Sequence, residues 1–175
     1  MDIRYPPMPD QRPRLLVVEP NRAYLAILAH RLSEAGFQIR TADSGASAIA
    51  ELYRLPIDLI LAELSMPRMG GAELARAVRG EVQWNDIPVM LITAKSKPAD
   101  AVQAYAAGAD DVIPKPFHFE VLAARIERRI ARARSVKQLR DDNAALDKRV
   151  IERAIQIGEL RDELRKERTR GSLTL

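Results

Sequence analysis

The sequence predicts an α/β domain that is built on a doubly wound, five-stranded parallel sheet and is followed by one long helix. Over residues 1–120, short apolar runs alternate with amphipathic stretches. Uninterrupted apolar runs are typical of parallel strands that are buried on both faces. Over residues 119–168 the alternation stops, and the chain has no proline and a single glycine, which indicates a continuous helix.

Five short runs are the candidate strands. Residues 15–18, 57–62 and 89–92 are the clearest, and residues 38–41 and 111–114 are weaker. Their length suits strands better than helices. Because helical patterns separate them, the strands should lie parallel in one sheet, and functional residues should gather at the carboxyl ends of the strands.

Four amphipathic stretches between these runs are the candidate helices. They cover about 21–35, 44–54, 71–79 and 98–107. Residues that interrupt helices mark the boundaries, namely Gly36, Pro56, Gly80 and Gly108. The long helix follows Pro116, and its first part repeats apolar residues at helical spacing, which favours packing on the sheet.

The second part of the long helix falls into heptads. The a positions are Val136, Asn143, Val150, Ile157 and Leu164, and the d positions are Leu139, Leu146, Arg153 and Leu160. β-Branched residues at a with leucine at d favour two parallel helices, and a single asparagine at a fixes their register. We therefore expect a homodimer through a parallel coiled coil over 135–168. Arg153 at d, and Asp142 opposite Asp147 of the partner, predict a dimer of modest strength.

Composition excludes several classes of protein. The chain has no cysteine, so it has no disulfide and no thiolate metal site. No apolar run approaches the ~18 residues of a membrane-spanning helix. Residues 1–13 are polar and contain four prolines, which predicts a disordered segment and not a signal peptide. Residues 169–175 are expected to form a flexible tail. We expect a cytoplasmic protein without membrane contact.

Two motifs resemble a known family. One is the run from Asp58 to Gly71, DLILAELSMPRMGG, and the other is GADD at 108–111 followed by KPF at 115–117. Together with the first and fourth candidate strands, they look like the receiver domain of two-component response regulators, which has the CheY-like, or flavodoxin-like, fold. The resemblance covers roughly residues 14–130, and we expect a receiver-like domain over 14–134.

The resemblance implies where a phosphorylation site would lie. In the family, an aspartate at the end of the third strand accepts a phosphoryl group, and two acidic residues that end the first strand help to hold Mg²⁺. A Thr or Ser after the fourth strand and a Lys after the fifth contact the phosphoryl oxygens. Mapped onto this sequence, the acceptor position is Glu63, the acidic pair is Glu19 and Pro20, and the phosphate-contact positions are Thr93 and Lys115, followed by Pro116.

Two of these positions, and one further residue of the fifth strand, depart from the family pattern. Pro20 has no carboxylate with which to bind Mg²⁺. Glu63 carries its carboxylate one methylene further from the backbone, and an error on the order of 1 Å in such a nucleophile can cost ~100-fold in rate. Val112 stands where the family has an aromatic residue that rotates on phosphorylation. We therefore expect a non-enzymatic, degenerate receiver with no resident metal or cofactor, in which Mg²⁺ binding is weak or absent.

Two interpretations of the altered site stay open. Glu63 and Lys115 could form an ion pair that imitates the phosphorylated state, or Glu63 could simply be an acid tolerated at an inactive site. Asp111 and Arg125 match an acid–base pair on a dimer surface of the family, whereas Val121 falls where many members have an acid. A protein partner in signalling is expected in either case.

Three other functions remain alternatives. The chain could be a phosphorylatable receiver with unusual acceptor chemistry, or the regulatory fragment of a larger output protein. It could also bind nucleic acid through its basic helix, because residues 121–175 carry 15 Lys or Arg and 9 Asp or Glu. Acids interleave with these bases and no aromatic residue accompanies them, so nucleic-acid binding is the less favoured interpretation.

Overall fold

The computed structural model describes residues 12–94 and 98–171 and has the predicted fold, five parallel strands with helices between them and a long C-terminal helix. The strands are β1 (Arg14–Val18), β2 (Gln38–Ala42), β3 (Leu59–Glu63), β4 (Val89–Thr93) and β5 (Asp111–Pro114). The helices are α1 (Arg22–Glu34), α2 (Gly45–Arg54), α3 (Gly71–Gly80), α4 (Pro98–Ala106) and α5 (Phe119–Gly171).

The strand order β2-β1-β3-β4-β5 places the reversal of the sheet between β1 and β3. In doubly wound sheets, binding sites form where the strand order reverses, at the carboxyl ends. The register pairs Val18 with Ala62, so the next residue of each strand, Glu19 and Glu63, comes to the same edge. β4 pairs with β5 so that Thr93 lies opposite Pro114, immediately before Lys115.

Alternate residues of each strand pack on opposite faces of the sheet. On β1, Leu16 and Val18 belong to an apolar cluster with residues of α2, α3 and α4. Leu15 and Val17 belong to a second cluster with α1 and the first turns of α5. All four side chains are at most 1% exposed, so both faces are covered and the strands read as continuous apolar runs.

β3 begins two residues later than the sequence predicted. Ile57 is buried, but Asp58 forms hydrogen bonds with Arg14 at the start of β1 and does not belong to β3. Its carboxylate accepts a hydrogen bond from the Arg14 amide at 2.8 Å, and its own amide donates to the Arg14 carbonyl at 2.8 Å. Pro56, which has no amide hydrogen, precedes this turn and keeps the ladder from starting earlier.

α5 is 53 residues long and ends at Gly171, three residues beyond the predicted end. Residue contacts divide the chain into two units, with the boundary between Ala133 and Arg134. Within the first unit, Leu122, Ile126 and Ile130 repeat every four residues and are buried against the sheet. The predicted disordered segment 1–13 lies almost entirely outside the described residues, as do residues 172–175 of the predicted tail.

In the described part of α5 beyond the boundary, the predicted coiled-coil seam is exposed. Its apolar side chains are between 39% and 65% accessible: Val136, Leu139, Leu146, Val150, Ile157, Leu160 and Leu164. Asn143 and Arg153 are exposed as well. Within the described ranges, no helix is both long and apolar enough to span a membrane.

Candidate functional site

Lys115 lies between two carboxylates at the carboxyl edge of the sheet. Its Nζ donates a hydrogen bond to Glu63 Oε2 at 2.7 Å and lies 3.5 Å from Glu19 Oε2. The side chains of Glu63 and Glu19 are only 8% and 7% exposed, and that of Lys115 is 26% exposed. One ammonium group therefore neutralises two nearly buried acids, which brings together three of the positions that the sequence singled out.

Backbone hydrogen bonds fix each of these groups. Glu19 Oε1 accepts from the Asn21 amide at 2.9 Å, and Glu63 Oε1 accepts from the Ser65 amide at 3.4 Å. The Lys115 amide donates to the Thr93 carbonyl at 2.8 Å. Each acid thus uses one oxygen for a backbone amide and turns the other towards the lysine, so the ion pair has little freedom to rearrange.

The turn after β3 is held close to the site by a glycine. A Cβ at Gly71 would lie 2.6 Å from the Glu63 carbonyl oxygen and 2.9 Å from a methyl group of Leu91. Both distances are shorter than van der Waals contact, so only glycine lets α3 start this near to the end of β3. This packing sets the direction in which the Glu63 backbone enters the site.

An aromatic ring from α1 covers the lysine, and sequence reasoning missed it. Lys115 Nζ lies 4.2 Å from the centroid of the Tyr24 ring, within the range of a cation–π interaction. Tyr24 lies on the first turn of α1, five residues after Glu19, so its nearness to the strand end was the available signal. The direction of its ring depends on packing, which the sequence pattern does not report.

The pKa shifts at the site follow from this enclosure. Burial by itself would lower the pKa of Lys115, but the hydrogen bond to Glu63 and the charges of Glu63 and Glu19 outweigh burial and raise it. Burial raises the pKa of Tyr24, and the nearby Lys115 ammonium opposes that rise. Lys115 is therefore charged, and Tyr24 is neutral, throughout the physiological pH range.

The other predicted site positions add no charged group to the cluster of Lys115, Glu63 and Glu19. Thr93 is 5% exposed and lines an open cleft of about 660 Å³ between the β3–α3 loop and α4. Val112 is buried in the apolar cluster on one face of the sheet and contributes no polar atom. Pro20 follows Glu19 and is partly exposed, and Pro116 is exposed and follows Lys115 through a cis peptide bond.

The oxygen ligands that this edge offers differ from the set that Mg²⁺ prefers. The ion prefers six oxygen ligands in octahedral geometry, with one or two carboxylates among them. Here a cation already lies 2.7 Å from Glu63 and 3.5 Å from Glu19, and the third family position, Pro20, offers no side-chain oxygen. Among the described residues, no group of three or more His, Asp or Glu side chains is suited to a metal ion, and no buried side-chain polar atom lacks a partner.

A second charged cluster joins β5 to α5. Arg125 donates to the two carboxylate oxygens of Asp111, from Nη2 at 2.6 Å and from Nε at 3.0 Å. Arg129 Nε lies 3.6 Å from the same carboxylate, whose side chain is 6% exposed. Two parallel hydrogen bonds from one arginine to a carboxylate form a strong, well-oriented interaction, so this cluster fixes the first turns of α5 on the sheet. Val121, where many family members have an acid, is exposed nearby on the same helix.

Residues 15–127 of the chain match the family model of the response regulator receiver domain. The chain is similar to the response regulator MprA of Mycobacterium ulcerans, with 34% identity over 75% of this chain and 54% of that protein. It is also similar to the DNA-binding dual master transcriptional regulator RpaA of Synechocystis, with 30% identity over 72% of this chain and 52% of that protein. The chain thus spans about half the length of these curated relatives.

Solved structures give the same result. The signal receiver domain of a signal transduction histidine kinase from Syntrophus aciditrophicus is 35% identical, with a TM-score of 0.64 over 68% of this chain and 90% of that structure. The chemotaxis protein CheY4 of Vibrio cholerae is 29% identical, with a TM-score of 0.64 over 67% of this chain and 98% of that structure. The similarity covers the first unit of the chain, up to the early turns of α5.

Proposed function

The chain belongs to the response regulator receiver domain family, and we propose that it is a signalling module of that family which works without phosphorylation at the acceptor position. The family has a signalling role, and one curated relative of this chain, RpaA, is a DNA-binding transcriptional regulator. The observation that carries the proposal is the 2.7 Å hydrogen bond from Lys115 Nζ to Glu63 Oε2. It engages the carboxylate that would have to attack a phosphoryl group.

Three properties of the site oppose phosphoryl transfer. The Glu63 oxygen that points into the site is bonded to an ammonium, which lowers its nucleophilicity. Pro20 provides no oxygen for the divalent cation that would neutralise the charge on the transferred group. Tyr24 covers the lysine on a further side, 4.2 Å from Nζ. Each property weakens positioning or charge stabilisation, and those two effects supply most of the catalysis in phosphoryl transfer.

The same hydrogen bond supports a constitutive state. In the family, a phosphoryl oxygen pairs with the lysine that follows the fifth strand, and here a glutamate oxygen occupies the partner position of that lysine. A hydrogen bond to a charged group contributes ~1.5–3 kcal/mol, and breaking a buried pair by removing one partner costs ~3–5 kcal/mol. An interaction of this size holds the domain in one conformation, independent of a phosphodonor.

Output would then run through protein contacts rather than through catalysis. The exposed seam of α5 has β-branched residues at most a positions and leucine at most d positions, which supports a parallel coiled-coil homodimer. A second protein contact could form around Arg125, whose side chain is 39% exposed, whereas Asp111 is buried beneath it. Nucleic-acid binding has less support, because two arginines of the basic helix, Arg125 and Arg129, are engaged with Asp111.

Exposure to a small-molecule phosphodonor tests the proposal. We expect the purified full chain to keep its intact mass after incubation with acetyl phosphate and Mg²⁺. The matched control is the double variant Pro20→Asp/Glu63→Asp, which adds the missing acid at position 20 and shortens the acceptor at position 63; we expect it to gain one phosphoryl group. Stable modification of the unaltered chain at Glu63, located by peptide mapping, would overturn the proposal.

A further inference from the structure

The start of α1 contacts one acid of the site, Glu19, and the lysine, Lys115. The Asn21 amide donates to Glu19 Oε1 at 2.9 Å, and the Asn21 side chain caps the helix by accepting from the Tyr24 amide at 3.1 Å. The Tyr24 ring then lies against Lys115 Nζ. The first turn of α1 is therefore tied to two of the three charged groups, through a hydrogen bond and a cation–π contact.

The last turns of the same helix contact the first residues of α5. The Arg31 guanidinium lies 5.0 Å from the centroid of the Phe119 ring, and its Nη2 lies 3.6 Å from Glu120 Oε1. Tyr24 and Arg31 are seven residues apart, which is about two helical turns, or ~10 Å along the axis. Residues at this spacing lie on one face of a helix, so a single face touches both the site and the start of the long helix.

α1 is packed firmly enough to act as one body. Leu28 and Leu32 are each 1% exposed and belong to the apolar cluster that α1 shares with the sheet and α5. Phe117 and Phe119, which flank the start of α5, form an edge-to-face pair with ring centroids 5.6 Å apart. A displacement of Tyr24 would therefore be felt at Arg31 and at the Phe119 ring.

We propose that α1 couples the Glu63–Lys115 pair to the first turn of the long helix, with Tyr24 as the contact at the site and Arg31 as the contact at α5. Tyr24 would then report the state of the site through an aromatic ring, which Val112 lacks. It lies on a helix, whereas Val112 lies on β5. Tyr24 is a positioning residue here, since it acts through Lys115. The inference rests on the proposed function, in which that ion pair sets the state of the domain.

Coupling of this kind is reciprocal in free energy. Neutralising Glu63 changes the field on Lys115 and hence the strength of its contact with the Tyr24 ring. In the other direction, a partner that moves the start of α5 changes the pair. To show that two sites are coupled, a change at one site must produce a measurable change at the other. Replacing the intermediate residue must then remove that change.

Fluorine NMR on the full chain provides that measurement. The chain has three phenylalanines, Phe37, Phe117 and Phe119, so uniform labelling with fluorophenylalanine gives three signals that single replacements assign. We expect Glu63→Gln to shift the Phe119 signal. We expect most of this shift to be lost when Glu63→Gln is made together with Tyr24→Leu. Tyr24→Trp, which keeps an aromatic ring and adds no fluorine label, is the control and should retain the shift.

A second variant covers the case in which Tyr24→Leu fails to fold. Arg31 is on the surface, with its side chain 46% exposed, so Arg31→Gln breaks the contact with Phe119 without opening the core. It too should abolish the response of Phe119 to Glu63→Gln. The coupling is refuted if Glu63→Gln leaves Phe119 unmoved, or if the shift survives both Tyr24→Leu and Arg31→Gln. If either of these results is found and acetyl phosphate still does not modify the chain, the α1 coupling is rejected. The proposed function is then unaffected.

Discussion

Replacing Lys115 by methionine should destabilise the domain more than neutralising the acid to which it is bonded. Lys115→Met keeps an unbranched side chain that is one atom shorter and removes the cation shared by Glu63 and Glu19, which are 8% and 7% exposed. Two buried carboxylates are then left without their neutralising charge, and the cost of breaking such a pair is ~3–5 kcal/mol. Glu63→Gln leaves Lys115 with Glu19 and the Tyr24 ring, so we expect a loss of only ~1–2 kcal/mol.

Urea unfolding of the full chain measures this asymmetry. Trp84 is the only tryptophan and is 6% exposed in the core of the first unit, so its fluorescence follows that unit and not the end of α5. The double variant Glu63→Gln/Lys115→Met should cost less than the sum of the single changes, with a coupling of ~1–3 kcal/mol. The slope with urea should stay the same in all variants, since a changed slope indicates a different unfolding reaction.

Equal costs would refute this reasoning. If Lys115→Met is no more harmful than Glu63→Gln, then the lysine does not neutralise two acids in solution. If the double variant costs the full sum of the singles, then Lys115 and Glu63 do not interact. Either result would remove the support for the proposal that a Glu63 oxygen replaces a phosphoryl oxygen as the partner of Lys115.

Three further predictions follow from the contacts described above. Because the folded pKa of Lys115 is raised above its ordinary 10.5, the pair's contribution to stability should persist below that pH and be lost as pH rises through the folded pKa; urea midpoints of Lys115→Met should lack this alkaline loss. Gly71→Ala should cost ~1–3 kcal/mol because its Cβ would meet a β3 carbonyl oxygen at 2.6 Å, whereas Gly158→Ala, whose Cβ meets nothing within 4 Å, should cost nothing in thermal melts. Leu146→Glu, at a d position, should make the chain monomeric in light scattering, whereas Ile155→Glu, equally exposed but off the seam, should leave the dimer intact; two dimeric variants would count against the coiled coil.

The fold could be predicted because its signals are local and repeated. Apolar runs of strand length and the amphipathic stretches between them report burial directly, and the DLILAELSMPRMGG and GADD–KPF motifs mark which runs are neighbours at the carboxyl edge. The boundaries were less predictable. The shift of β3 from Ile57 to Leu59 depends on hydrogen bonds between Asp58 and Arg14, which lie 44 residues apart in the chain.

The site was predictable in its members but not in its details. The resemblance to the receiver family implied that Glu19, Glu63 and Lys115 share one site, in keeping with the general rule that parallel strands bring their carboxyl ends to one edge. The Tyr24 ring could not, because its position depends on the direction in which a partly buried helical side chain packs. The sharing of one lysine by two acids was also beyond the sequence, since it depends on distances of 2.7 and 3.5 Å. The parallel coiled coil stays a prediction.

The most direct measurement of the occupied acceptor site is a titration with Mg²⁺ and beryllofluoride, a stable analogue of the phosphoryl group, followed by backbone amide NMR of the full chain. We expect the amide signals of Glu19, Glu63 and Lys115 to keep their positions, while the Pro20→Asp/Glu63→Asp variant shows shifts at the same three places. A saturable shift of those signals in the unaltered chain would contradict this expectation, because the ligand could then displace the lysine from the glutamate.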